Sequence, residues 1–262
     1  MPQFFLLGLV GLLGLAVGSF LNVVIHRVPR DESLVRPGSR CPHCGNAVRN
    51  RHNIPVLGWL LLRGKCADCN APISPRYPLV EAGTALLFVG VALRFGWSWE
   101  LPAYLYLAAM AVALAAIDLD VMRLPDKIVF PSYAVAPLLL LPAVIAEHSW
   151  HAAVRSLAAA ALLYAGYWVL GALPKGMGGG DVKLAPLLGF YLGWLGWSSV
   201  LVGAFAGFLL GGVVGVALMS ARVATRKSRI PFGPFMLAGV FLAVFAAVPI
   251  ADWYTGLLLT TA

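Results

Sequence analysis

Apolar residues run through this chain in long stretches broken by short charged loops. Residues 1–25 contain no Asp, Glu, Lys or Arg, and at ~1.5 Å rise per residue such a stretch crosses a ~30 Å hydrocarbon layer. The basic residues begin only afterwards, at Arg27. That order is the reverse of a cleaved signal peptide, so the segment reads as a first transmembrane helix that stays. Uncharged runs at 101–117, 128–146, 156–174 and 230–251 each predict one further helix, as does 79–93, where Glu81 is the one charge. The 38 uncharged residues of 184–221 are about twice one crossing, with Gly193, Gly196 and the Ser198-Ser199 pair near the middle as turn material. They predict a tight hairpin of two helices, making eight spans. The fold class expected is therefore all-α: a polytopic membrane protein with about eight transmembrane helices and a small cytoplasmic zinc-ribbon-like loop. Its parts are a first helix at 1–25, a four-cysteine loop at 26–78 and a seven-helix core at 79–262.

Composition supports lipid as the solvent. The 262 residues are 60% hydrophobic and 11% charged, with a mean hydropathy of +0.85, whereas ordinary soluble domains carry about a quarter charged residues. A disordered chain, a disulfide mini-protein and a nucleic-acid-binding basic domain are all excluded. The net charge of +8 must be read by position, and 17 of the 19 Lys and Arg residues fall in the loops at 26–78, 118–127, 175–183 and 222–229. Eight spans put those four loops on one side, which the excess of positive charge marks as cytoplasmic, with both termini outside. Arg94 and Arg155 fall on the other side. Trp97, Trp99, Trp150 and Trp253, near proposed helix ends, suit an interfacial belt.

All four cysteines lie in the first of these loops, as Cys41-Pro-His-Cys44 and Cys66-Ala-Asp-Cys69 with 21 residues between the pairs. A two-residue gap lets both thiolates of a turn reach one tetrahedral ion, and two such turns complete a four-sulfur zinc site. Four protein ligands leave no open coordination position, so the zinc is expected to be structural; a Cys3His set using His43 is the alternative. Placement on the reducing side argues against disulfides. Between the knuckles, Asn53–Leu62 is either a small ribbon core or a patch resting on the membrane surface. The loop carries nine basic and three acidic residues, suited to anionic headgroups or an acidic partner.

Carboxylates in membrane spans cost ~2.5–3.5 kcal/mol each on insertion scales, so those present are functional candidates. Asp118 ends the third span within Asp118-Leu-Asp120, and Asp181 follows Gly178-Gly179-Gly180 before the sixth. Both fall at cytoplasmic ends, next to spans whose uncharged runs contain no Lys to neutralise them. If they meet, repulsion favours one shared proton, the working state of an aspartic protease, and the glycines admit a substrate backbone close to Asp181.

Taken in order, Gly14-x3-Gly18-Ser-Phe-Leu-Asn-Val-Val-Ile25, the paired cysteines, Asp118 eight residues before the Asp of Leu-Pro-Asp126, Gly-Gly-Gly-Asp181-Val-Lys183 and Ile-Pro-Phe-Gly-Pro-Phe235 resemble the type IV prepilin peptidases. These are bacterial inner-membrane aspartic proteases of the GxGD type, and the match spans nearly the whole chain. The resemblance implies removal of a short basic leader from prepilins or type II secretion pseudopilins, after a Gly, at the cytoplasmic face. In bifunctional members, N-methylation of the new amino terminus from S-adenosylmethionine follows. The catalytic pair that the resemblance implies falls on Asp118 and Asp181; Asp120 is the alternative to Asp118, since two residues apart on a helix they point in different directions and only one of them can face Asp181. Glu81 in Tyr-Pro-Leu-Val-Glu81 matches a family position and is the candidate methyl-transfer contact, with a helix-start carboxylate as its plain reading. Gly176-Met-Gly-Gly-Gly-Asp181 lacks the spacing of a soluble Gly-x-Gly-x-x-Gly cofactor turn. The partners expected are prepilins and membrane lipid, with no nucleic acid; oligomeric state is not specified.

Two rival classes use parts of the same evidence. A proton-coupled transporter or channel also needs membrane Asp residues and Gly-rich breaks, but it should place its charges near mid-membrane and often shows two similar halves. A zinc-ribbon scaffold explains the cysteines and leaves Asp118 and Asp181 without a role.

Overall fold

The computed structural model describes the backbone of residues 2–173, 177–223, 225, 228 and 230–260, and their side chains apart from 2 and 257–260. Of the basic residues counted above, Lys175, Arg226, Lys227 and Arg229 lie outside the described residues. The elements are helices: α1 Pro2–Arg27, α2 Leu57–Leu61, α3 Arg76–Phe95, α4 Leu101–Val121, α5 Asp126–Ala146, α6 Trp150–Ala172, α7 Gly179–Leu195, α8 Trp197–Ser220 and α9 Gly233–Thr260. Among the described residues, seven helices are long and apolar enough to cross a membrane. The remaining member of the expected eight is α7, which at 17 residues is the shortest. The helices that cross are apolar because a backbone in hydrocarbon must satisfy its own N–H and C=O groups, which a helix does internally. The expected hairpin is present, turning at Gly196 with φ of 143° between α7 and α8.

Two compact units divide the chain, residues 1–113 and 114–262, so that α4 contributes to both. In the first, α1 and α3 pack antiparallel through small residues. A Cβ on Gly14 would stand 2.6 Å from Ala85 Cα, and one on Gly18 would stand 2.7 Å from Glu81 Cα. Four-residue spacing puts both glycines on one face, and their missing side chains are what let the two backbones approach. Asn22 Nδ2 donates to the Tyr77 carbonyl at the loop end of the same seam.

In the second unit, α7 is the buried centre. Leu184, Ala185, Leu187, Leu188, Tyr191 and Leu192 are all buried, and α6 and α8 to α9 are its packing partners. Arg155 is where it is for a local reason: Nε donates to the Gly193 carbonyl at 2.6 Å and Nη2 to the Trp194 carbonyl at 2.8 Å. A cation on the last carbonyls of α7 satisfies acceptors that have no partner within the helix. Trp97, Trp99, Trp150 and Trp253 are all exposed.

Candidate functional site

The cysteine loop is built from two knuckles of the same design. Cys41 N–H donates to the Asn46 carbonyl and Gly45 N–H to the Cys41 carbonyl, both at 2.9 Å; Cys66 N–H donates to Ala71 and Asn70 N–H to Cys66 in the same pattern. The fifth residue of each turn is left-handed, Gly45 at φ of 75° and Asn70 at 57°, conformations that Gly and Asn adopt most readily. The result brings all four Sγ atoms within 4.8 Å of one another. Cys41 Sγ and Cys69 Sγ are 3.8 Å apart, and the edge of a sulfur tetrahedron with ~2.3 Å metal bonds is about 3.8 Å. The donor set therefore fits a four-coordinate zinc ion, and His43 is not among the converging groups. Backbone amides of Cys44 and His43 pull the Cys41 thiol down to about 6. Cys69, despite a backbone bond with Ala71, is pushed up to about 12 by desolvation and by the neighbouring sulfurs. A dication is what allows all four to be thiolates together.

Asn53–Leu62 does not form a ribbon core. Its inward residues are Gly58, buried against the His52 carbonyl, and Trp59, whose indole N–H donates to the Ile73 carbonyl at 3.0 Å. Glu81 is buried, 8% exposed, and its Oε2 accepts the Val56 N–H at 2.7 Å.

In the second unit, Asp118 occupies the last turn of α4 and is 5% exposed, whereas Asp120 is exposed. Two helical residues are separated by about 200° around the axis, so only one can turn inward. Asp118 Oδ2 accepts the Gly233 N–H at 3.1 Å. That N–H belongs to the first residue of α9, where helix geometry leaves the amides without internal partners and the dipole favours an anion. Pro234 follows, at a position where a helix needs no N–H. The segment is held by a run of rings, with Tyr167 to Phe208 at 5.6 Å, Phe208 to Phe232 at 5.2 Å and Phe232 to Phe235 at 6.4 Å between centroids.

Asp181 stands in the first turn of α7, where its carboxylate meets the Gly178 backbone amide and lies close enough to Asp118 to feel its charge. Tyr167 of α6 is within the same range. Leu124 joins the two halves: a Cβ on Gly180 would stand 3.2 Å from Leu124 Cβ, and one on Gly233 would stand 3.3 Å from Leu124 Cδ2. Of the three glycines, Gly178 and Gly179 are exposed and Gly179 has open space beside it, whereas Gly180 is turned toward Leu124.

One turn further along, Lys183 is gripped by α5. Its Nζ bonds Asp126 Oδ1 and Oδ2 at 2.9 and 3.0 Å and lies 5.3 Å from the Phe130 ring centre. Its backbone carbonyl accepts the Tyr133 hydroxyl. Pro186, three residues on, lacks the N–H that the Val182 carbonyl would otherwise accept. An apolar groove of about 490 Å³ between α5, α6 and α7 reaches Lys183 but neither aspartate.

The sequence motifs thus supplied both aspartates and all four cysteines, but Gly233, Leu124 and Tyr167 were missed. The signal for the first two lay in Ile-Pro-Phe-Gly233-Pro-Phe and Leu124-Pro-Asp126; Tyr167 sits in an apolar helix with no local mark. Two carboxylates whose charges interact, one of them accepting the amide of a helix N-terminus, are groups of the kind that take a proton from water and return it.

Comparison with known proteins matches residues 12–95 to the bacterial peptidase A24 N-terminal domain and residues 105–216 to the type IV leader peptidase family. A prepilin leader peptidase/N-methyltransferase of Aeromonas hydrophila is 38% identical, over 94% of this chain and 92% of the relative. That of Stutzerimonas stutzeri is also 38% identical, over 88% of each, and that of Pseudomonas aeruginosa 37%, over 89% and 88%. No solved structure matches. With both units matched and relatives at this identity aligned over nearly their whole length, the chain belongs to the type IV leader peptidase family.

Proposed function

We propose that this protein is a membrane aspartic endopeptidase that removes the basic leader of type IV prepilins or pseudopilins after a Gly. It then N-methylates the new amino terminus. Prepilin processing as such follows from the family; the cleavage chemistry is read from the site. What supports it is that Asp118 and the turn that carries Asp181 come from separate helices to the same residue, Leu124, with Gly233 N–H on the Asp118 carboxylate. One carboxylate takes a proton from water as the oxygen attacks the scissile carbonyl, while the other, protonated, donates a hydrogen bond to that carbonyl. The tetrahedral intermediate then collapses, and the amine leaves with a proton returned from the pair. Gly178 and Gly179 leave room for the substrate backbone beside Asp181.

The setting is the bacterial inner membrane, with both termini outside and the aspartates at the cytoplasmic face, a reading that the distribution of Lys and Arg supports. Cys41, Cys44, Cys66 and Cys69 hold a structural zinc ion. S-adenosylmethionine supplies an electrophilic methyl group on a cationic sulfonium, and Glu81, a buried carboxylate, is the proposed contact on the methyl-transfer side. In this structure it also ties the loop to α3 through Val56.

Processing of a co-expressed prepilin, read as a gel shift, tests the assignment. Asp118→Asn and Asp181→Asn each stop leader removal, while Asp120→Asn keeps most of it. Full cleavage by either of the first two variants would refute the pair.

A further inference from the structure

The stretch between the two zinc knuckles presents an apolar ridge that nothing in the first unit covers. Leu57, Leu60 and Leu61 are 56%, 55% and 75% exposed, and Ile54 just before them 46%. Spacing of i, i+3 and i+4 puts the three leucines on one side of α2. The opposite side is committed inward through Gly58 and Trp59. In water such a ridge is unfavourable, at about 25 cal/mol for each Å² of apolar surface.

The depth at which α2 is held tells what covers it. Glu81 Oε2 accepts the N–H of Val56, the residue that precedes α2. Glu81 is the sixth residue of α3, a membrane-crossing helix that starts at Arg76, which puts it about 7.5 Å along the axis from that start. Val56 itself, at φ of 61°, is the centre of a γ-turn that Leu57 N–H closes on the Pro55 carbonyl at 2.6 Å, so its own N–H is turned away from α2 and is free to reach Glu81. Helices that lie in a membrane surface bury their apolar side to about 5–10 Å in the headgroup and acyl boundary, which is the level this bond sets. The flanks carry charge of the matching sign: Arg51 precedes the ridge and Arg63 and Lys65 follow it, all three exposed. Anionic headgroups attract basic residues that lie near the surface.

We propose that α2 is an interfacial anchor. Leu57, Leu60 and Leu61 insert in the adjoining leaflet of an anionic bilayer, with Arg51, Arg63 and Lys65 at the headgroups and the Glu81 to Val56 bond fixing the depth. The zinc knuckles are thereby held against the membrane rather than free in the aqueous phase.

The test uses the intact, unsubstituted chain in phosphatidylglycerol nanodiscs containing a phospholipid with a diazirine in its acyl chain. After irradiation, trypsin releases residues 52–63, which contain the ridge, and residues 66–76, which contain the second knuckle. Lipid adducts on 52–63, at Leu57, Leu60 or Leu61, with at least tenfold fewer on 66–76, are expected. A 52–63 peptide without adducts, while the membrane-crossing peptides are labelled, overturns the proposal, whether water or protein then covers the ridge. Equal labelling of both peptides overturns it too, since α2 would have no special depth. Replacing phosphatidylglycerol by phosphatidylcholine is expected to lower labelling of 52–63 several-fold; an unchanged yield removes the basic residues from the proposal.

Discussion

Substitution of Gly233 by alanine tests the geometry of the aspartate site most directly. A Cβ at this position would stand 2.7 Å from Asp118 Oδ2, 3.3 Å from Leu124 Cδ2 and 3.4 Å from Asp118 Cγ. The first distance is shorter than carbon and oxygen tolerate, so either the carboxylate rotates away or the first turn of α9 retreats. Both movements break the 3.1 Å bond from Gly233 N–H. A hydrogen bond to a charged group contributes about 1.5–3 kcal/mol, which at 1.36 kcal/mol per decade is about 10- to 150-fold in rate. Misplacement of a reacting group by ~1 Å costs a similar ~100-fold. The assay is the initial rate of leader removal from a purified prepilin at saturating concentration, in nanodiscs. Gly233→Ala is expected to lower kcat by about 10- to 150-fold while leaving the melting temperature within a few degrees, because alanine is a good helix former at the first turn of α9. Gly212→Ala in α8, where a Cβ meets nothing within 4 Å, is the matched control and should retain wild-type kcat. Wild-type kcat in Gly233→Ala, or an equal loss in both variants, would refute the reasoning.

Three further outcomes are expected. Lys183→Met and Asp126→Asn each lower kcat about 1.4- to fivefold, the range of an exposed ion pair worth ~0.2–1 kcal/mol; the double variant is no worse than either single, and additive losses would show that the pair does not act as a unit. Purified protein holds about one zinc per chain, and Cys41→Ser with Cys44→Ser loses it without abolishing leader cleavage; stoichiometric metal retained in that variant rejects the four-sulfur site. Gly14→Leu forces α1 away from Ala85 and destabilises the first unit by at least the ~1–3 kcal/mol of an overpacked contact, whereas Gly8→Leu, with open space beside it, leaves the melting temperature unchanged. Equal melting temperatures for these two variants would contradict the antiparallel seam.

Much of the fold was legible along the chain because the constraints that set it are local. A helix in lipid satisfies its own backbone, so a run of about 20 apolar residues declares a crossing without reference to the rest of the molecule. The one departure is α7, whose 17 residues fall short of the usual length. Burial on nearly every side, and Arg155 reaching across from α6 to cap its carbonyls, belong to its neighbours rather than to its own sequence. The two cysteine knuckles were equally legible, since a two-residue gap and a left-handed fifth residue define the turn by themselves.

From sequence alone came the membrane class, the helix count to within the short α7, the four cysteines that converge and the two candidate carboxylates, all consequences of composition, spacing or motif over a few residues. Tertiary structure decided which groups meet: Gly233 N–H on Asp118 across 115 positions of chain, Asp126 on Lys183 across 57, and Val56 on Glu81 across 25. It also decided that the leucines of α2 face outward rather than into a core. Such pairings depend on how whole helices pack, and packing is a property of surfaces assembled from distant segments, which no window along the chain contains.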